Sequence, residues 1–317
     1  MLQPSRSYDH AGIVDGKWVL GVSRKDRISR VALLTLRHRL ALVESGLPLA
    51  AQHAAEDVEH VHRLRVATRR AVAAVKMYRE LLPRKRVKKL LSQLKEIRQA
   101  AGKARDLDVL LRDTAAAHRL GDDDAIFQRL MVSRREAQEP ILAIYDRLRH
   151  RGSLSRQIDR VLARLERRTR RRRGDDVRFG QWARGRLSAS LKRFFAAEPD
   201  DWQDAQALHR FRIRGKQLRY AMELLAGAFP KKLREQLYPQ VETLQEKLGE
   251  INDHFAAIAR FESWQRNAAS SEDRERFEQL LQARRATVQQ AQRQFVCWWE
   301  GVRRRELRRS FRALLKA

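Results

Sequence analysis

One cysteine, seven prolines and fourteen glycines punctuate 317 residues. The lone thiol, Cys297, excludes an intramolecular disulfide framework and a cysteine-built zinc cage. Its neighbours Trp298 and Trp299 suit a reduced thiol on a helix rather than a nucleophile. So few Gly and Pro give too few turns for a β sandwich and let helices run long. Long apolar runs are missing too. No stretch approaches the ~18 uncharged apolar residues that a membrane-spanning helix needs. Met1 to Arg6 lacks the apolar core of a signal peptide. A soluble, cytoplasmic protein is expected. No Gly-x-x-x-x-Gly-Lys-Ser/Thr loop and no His- and carboxylate-rich cluster of metal-ligand spacing occurs. The expectation is therefore a non-enzyme without metal or cofactor.

Acidic residues are the other shortage. Asp and Glu number 39 against 68 Lys and Arg, a net charge of +29. Uncompensated, such charge opposes compaction, and a polyanionic partner relieves it. Nucleic acid, an anionic membrane surface and polyphosphate all satisfy this observation. The hydrophobic fraction of 43% and the chain length are ample for a buried core.

Residues 1–22 read as an irregular arm, punctuated by Gly12, Gly16 and Gly21 around Trp18-Val19-Leu20, with room for one short strand. Helical periodicity follows. The first helix is expected over Arg24–Ser45, with Val31, Leu34, Arg37/His38 and Ala41 on its seam, ended by Gly46 and Pro48. The second spans Glu56–Leu82 with Val61, Leu64, Ala71, Val75, Tyr78 and Leu82 inward. The third spans Arg84–His118 with Leu90, Leu94, Ile97, Ala101 and Ala104 inward. Gly121 and Asp122 to Asp124 mark a break and an acidic helix start. Ala125–Arg173 is mostly helical, with a division at Gly152-Ser153. Arg167–Arg173 holds six Arg in seven residues, a solvated helix end or hinge. Further helices are expected over Gly180–Ala197, Lys231–Gln265 and Glu272–Phe311.

An internal repeat organises these helices. His62-Arg63-Leu64-Arg65-Val66 recurs as His209-Arg210-Phe211-Arg212-Ile213, an offset of 147 residues. Without a gap, Arg69 falls on Lys216, Pro83 on Pro230, Gly102 on Gly249 and Asp106 on Asp253. The organisation expected is an arm (1–22), a first helical repeat (23–174) and a second (175–317). The fold class is all-α, with about four long helices packed antiparallel in each half.

On the motif helix, His62, Arg65, Arg69 and Lys76 fall on one stripe, about 120° from the apolar seam. His209, Arg212, Lys216 and Arg219 make the second stripe. Stacked like charges destabilise a helix by a few tenths of a kcal/mol per pair, so a counter-charge is needed. A linear anion supplies it. Arg forks phosphate oxygens, and His gains charge beside an anion. On the third helix Arg98 and Arg105 share a face, with Gln245 and Asn252 at the equivalent places. Asp106 and Asp253 are expected to pair with Arg or cap a helix rather than act in catalysis.

His62 to Arg70, Gly102 to Asp108, His209 to Tyr220 and Leu248 to Asp253 together resemble both halves of a CHAD domain, the conserved histidine α-helical domain. The resemblance covers about residues 24–310. It implies two pseudo-symmetric four-helix bundles with a basic groove or pore between them. It implies inorganic polyphosphate as ligand, and residence on polyphosphate granules in some members. Carried over position by position, the ligand-facing residues would be His62, Arg65, Arg69, His209, Arg212, Lys216 and Arg219, to which Lys76 of the stripe and Arg98 and Arg105 of the third helix are added. Gln217 opposite Arg70 and Asn252 opposite Arg105 break strict equivalence of the halves. The Glu-x-Glu-x-Lys signature of the CYTH tunnel domain, a frequent neighbour of CHAD domains, is absent, so a stand-alone binder is expected. Polyphosphate carries charge and no bases, which suits stripes without a stacking platform. The alternative is a non-specific nucleic-acid binder. A polyphosphate-processing enzyme, or a phosphocarrier using His62 and His209, ranks below both.

Overall fold

A computed structural model describes residues 17–118, 124–150, 152–170, 176–268, 270–299 and 301–316. Among them the regular structure is helical, without a strand. The arm up to residue 16 and Arg171–Arg173 of the Arg run lie outside the described residues. The chain forms two compact units. One is Arg27–Val177. The other joins a short strap, 17–26, to Arg178–Ala317.

In the first unit α1 (Ile28–Gln52) packs against α2 (Glu59–Met77), α5 (Glu139–His150) and α6 (Ser153–Arg170). The long α3 (Arg84–His118) packs on α2, α4 (Ala125–Glu136), α5 and α6. Because α1 is covered on several sides, its buried face is wide: Val31, Ala32, Leu33, Leu36, Leu40, Val43 and Leu47. The expected seam was out of phase, since Leu34 and Ala41 are exposed. The expected stop was also early. Gly46 and Pro48 lie inside α1, whose last turns bury Leu47, Ala50 and Ala51. Proline removes one backbone hydrogen bond there. The helix end is capped from a distance, because Gln138 Nε2 donates to the Ala50 and Ala51 carbonyls at 2.8 and 3.1 Å. Gln138 reaches them from the break between α4 and α5. Asp124 caps α4, accepting from the Ile126 and Phe127 amides. Gly152, at φ +49°, separates α5 from α6. The first unit thus carries six α-helices among the described residues rather than about four.

In the second unit α7 (Phe179–Phe195) packs on α8 (Ala205–Leu225), α8 on α9 (Tyr238–Arg266) and α9 on α10 (Ser271–Trp299). A π-type turn, Leu233–Leu237, leads into α9 and contacts α11 (Val302–Lys316). The single last helix expected is two, broken at Gly301, where φ is +73°. The core is aromatic. Phe194 stacks on Phe211 at 4.9 Å between centroids, and Trp299 stands edge-on to Phe194 and tilted against Phe211. The buried Trp299 N–H donates to Glu198 at 2.9 Å.

The strap is seated by glycines. Phe179 N donates to the Asp26 carbonyl at 2.8 Å and Gly180 N to the Arg24 carbonyl at 3.0 Å. At Gly227 a Cβ would lie 2.8 Å from the Val22 carbonyl oxygen and 2.7 Å from its Cγ2. Backbone cannot yield cheaply there. Gly227→Ala is expected to destabilise the protein by about 1–3 kcal/mol. Gly185→Ala on α7, with nothing within 4 Å, should stabilise by up to ~1 kcal/mol. Paired thermal-unfolding curves check the opposite signs.

Candidate functional site

The first stripe stands on α2, whose other side buries Val61, Leu64, Thr68, Ala71, Ala74 and Val75. Thr68 satisfies its buried hydroxyl by donating to the Leu64 carbonyl at 2.7 Å. That burial leaves His62, Arg65 and Arg69 half-buried along one edge. Arg65 reaches across to α3, where its Nη2 lies 2.9 Å from Asp106 Oδ1. The guanidinium passes over Gly102, at which a Cβ would stand 3.8 Å from Arg65 Nε. One residue before Asp106, Arg105 pairs with Glu59 at 3.3 Å, at the start of α2.

His62 therefore sits among three guanidiniums and one carboxylate. Its burial first, then the charge of Arg105, hold its pKa below the usual 6.5; Glu59 works against them, and Arg69 and Arg65 add to them. Its Nδ1 and the Nε of Arg69 are buried and have no hydrogen-bond partner among the described residues. Lys76, in the last turn of α2, and Arg98 on α3 are exposed. The structure thus brings His62, Arg65, Arg69 and Arg105 into one cluster, with Lys76 and Arg98 further out along their helices.

The second stripe stands on α8 and repeats the central contact. Arg212 Nη2 lies 3.9 Å from Asp253 Oδ1 on α9, the counterpart of Arg65 and Asp106. As expected, both aspartates are partners of Arg. The surroundings differ. Asn252 replaces Arg105, and its Oδ1 accepts from His209 Nδ1 at 2.8 Å. His209 is exposed and Lys216 half-buried. Arg219, one turn on, meets Glu242 at 3.3 Å, and Lys17 of the strap meets the same carboxylate at 2.8 Å. Nearby, Glu223 is 1% exposed and accepts from the Tyr238 hydroxyl at 2.8 Å. Burial opposes the charge of Arg219, and Tyr238, Glu223 and Tyr220 outweigh it and raise its pKa.

Three features escaped the sequence reading. Asp108, quoted only as part of a motif, is a buried side chain ion-paired with Arg134 of α4. Arg284 of α10, almost fully buried, lies with Nη1 3.2 Å from His254 Nδ1 of α9. Lys17 joins the Arg219 ion pair from an arm with no motif of its own. Only the Gly102–Asp108 motif carried any signal, and only for Asp108. Among the described residues no group of three or more His, Cys, Asp or Glu is placed to hold a metal ion. No described helix is long and apolar enough to cross a membrane.

A model of the CHAD domain matches residues 34–262, more than two thirds of the chain. The chain belongs to the CHAD family. Both stripes of this CHAD protein lie inside the matched span, and the strap lies outside it. No curated protein matches the chain. Among solved structures it is similar to the CHAD domain from the plant Ricinus communis, with a TM-score of 0.61 and 22% identity over 97% of each chain. It is also similar to PptA from Streptomyces chartreusis, with a TM-score of 0.55 and 17% identity, over 84% of this chain and 99% of that one. At those identities the likeness is one of fold.

His62 takes up its proton at lower pH when folded than when unfolded. The unfolded chain is therefore protonated first as pH falls through about 6.5, and the folded state loses stability below that point. His62→Gln should flatten this part of the stability–pH curve. Histidine NMR titration should find His62 below 6.5 without ligand and shifted upward by bound polyanion.

Proposed function

We propose that this CHAD protein is a non-catalytic binder of inorganic polyphosphate. The observation that carries the reading is the unsatisfied polar edge of α2. His62 Nδ1 and Arg69 Nε are buried without a hydrogen-bond partner among the described residues, on the face that also carries Arg65. Leaving such groups unpaired costs about 1–3 kcal/mol each, and phosphate oxygens accept from Arg69 Nε–H and from His62 Nδ1 once it carries a proton. Family membership supports the choice of anion, since the resemblance implies polyphosphate.

His62, Arg65 and Arg69 form the first contact row, with Arg105 and Arg98 beside it and Lys76 at its end. His209, Arg212 and Lys216 form the second, with Arg219 at its end. The ion pairs to Asp106 and Asp253 do not disqualify Arg65 and Arg212. Both carboxylates are more than half exposed, and exposed pairs contribute only about 0–1 kcal/mol. A guanidinium has five N–H donors, and the pair holds it extended while others face the ligand. The proposal extends to one anion chain engaging both rows in a shared basic groove, as the resemblance implies. Cytoplasmic residence, on polyphosphate granules when these form, is part of the same reading.

Arg65→Gln with Arg212→Gln is the direct test. Gln avoids setting a new carboxylate against Asp106 or Asp253. Each lost charged contact removes about 1.5–3 kcal/mol, so the double variant should bind long-chain polyphosphate about a hundredfold more weakly or worse. Its helical circular dichroism should be unchanged. Wild-type affinity in the folded double variant would remove the rows from the site.

A further inference from the structure

The strap and the first turns of α7 line an open surface depression of about 510 Å³, formed by Arg24, Lys25, Arg178, Gly180, Gln181 and Arg184. All six belong to one unit, and none is on α8, the helix of the second stripe. Four carry a positive charge. Two of the four are oriented by backbone carbonyls rather than carboxylates: Arg178 Nη1 donates to Lys25 O at 2.5 Å and Arg184 Nη1 to Leu315 O at 3.3 Å. None of the four makes an ion pair with a carboxylate among the described residues. Two of the four cations are thus held by backbone carbonyls, and all four stand exposed around the depression.

Its geometry is fixed by the close approach of strap to helix. A Cβ on Gly180 would lie 3.0 Å from Arg24 Cβ and 3.2 Å from Arg24 O. The two backbone hydrogen bonds from Phe179 and Gly180 to the strap keep Arg24 and Lys25 over the helix start. We infer that this depression is a second anion site, distinct from the α2 and α8 rows, and that it takes a short inorganic oligophosphate such as tripolyphosphate.

The lining selects that chemistry. Guanidiniums fork tetrahedral phosphate oxygens with paired hydrogen bonds, and an ammonium adds a point charge. No aromatic ring lines the depression, so a nucleobase has nothing to stack on. No carboxylate lines it either, so a cation is not the ligand. The size of the depression, about 510 Å³, matches a few linked phosphates. Arg24 and Lys25 lie outside the residues matched by the CHAD model, so the family match does not carry this site. The site does not depend on what the two rows bind.

The test is calorimetric titration of the full chain with tripolyphosphate. Arg24→Gln with Arg184→Gln should weaken binding about tenfold or more, the loss of at least one charged contact. The Arg65→Gln, Arg212→Gln variant should keep this site, and Arg24→Lys with Arg184→Lys should lose less than the Gln pair. Gly180→Ala leaves every charge in place and should also weaken binding, by displacing the strap. Should the Gln pair not fold, Arg184→Gln alone, at an exposed position, gives the same reading in smaller measure. Equal affinity of wild type and the Arg24, Arg184 variants would overturn the site. Loss confined to the Arg65, Arg212 variant would do so too, and would assign short phosphates to the rows. ATP binding tenfold tighter than tripolyphosphate would overturn the ligand class.

Discussion

A helix that stacks cation over cation along one edge repels itself, and everything distinctive in this chain follows from how that repulsion is handled. Intramolecular carboxylates absorb part of it, through one contact used twice. An Arg from the motif helix reaches to an Asp on the next helix, Arg65 to Asp106 and Arg212 to Asp253. The pair is too exposed to contribute much stability. Its effect is orientation, because it extends the guanidinium across the face of the neighbouring helix. Around it three guanidiniums, Arg65, Arg69 and Arg105, face one carboxylate, Glu59, and their charge adds to burial in lowering the pKa of His62. An anion brought to that edge gains from all three guanidiniums at once.

The two copies share this arrangement for the first turns of the motif helix and then part. His, Arg and a third cation recur at 62, 65, 69 and at 209, 212, 216. Beyond them the first copy stays basic, with exposed Lys76. The second turns inward, with Glu223 buried in the place of Lys76 and Glu242 holding Arg219 and Lys17. The same divergence separates His62, crowded by Arg105, from His209, bonded to Asn252. The second copy has spent part of its row on fastening the strap. The backbone hydrogen bonds of Phe179 and Gly180 set Arg24 and Lys25 of the same strap at the start of α7, beside Arg178 and Arg184.

Much of this was legible in the residue order. The scarcity of Gly and Pro gave helices, the third helix was placed at its observed limits, and the repeat led to the paired aspartates. What was missed depended on tertiary contact. Pro48 reads as a terminator by local rules, but the burial of Leu47, Ala50 and Ala51 and the remote cap from Gln138 carry α1 past it. The phase of α1 was misread because a helix covered on several sides has apolar residues over most of its circumference. Gly301 broke the last helix because one residue adopts a left-handed conformation, which spacing alone does not reveal. The role of Lys17 could not be read locally, since its partner Glu242 is 225 residues away.

On a chain of net charge +29, the proposed rows differ from a diffuse basic surface in preferring linked phosphates to other polyanions. The measurement that addresses this preference most directly is displacement of labelled long-chain polyphosphate by single-stranded RNA and by unlabelled polyphosphate, at equal phosphate concentration across a salt series. Polyphosphate affinity is expected to fall steeply with salt through counterion release, while RNA remains the much weaker competitor at every salt concentration. RNA displacing the label as effectively as polyphosphate would contradict that preference, and would make the rows a non-specific anion surface.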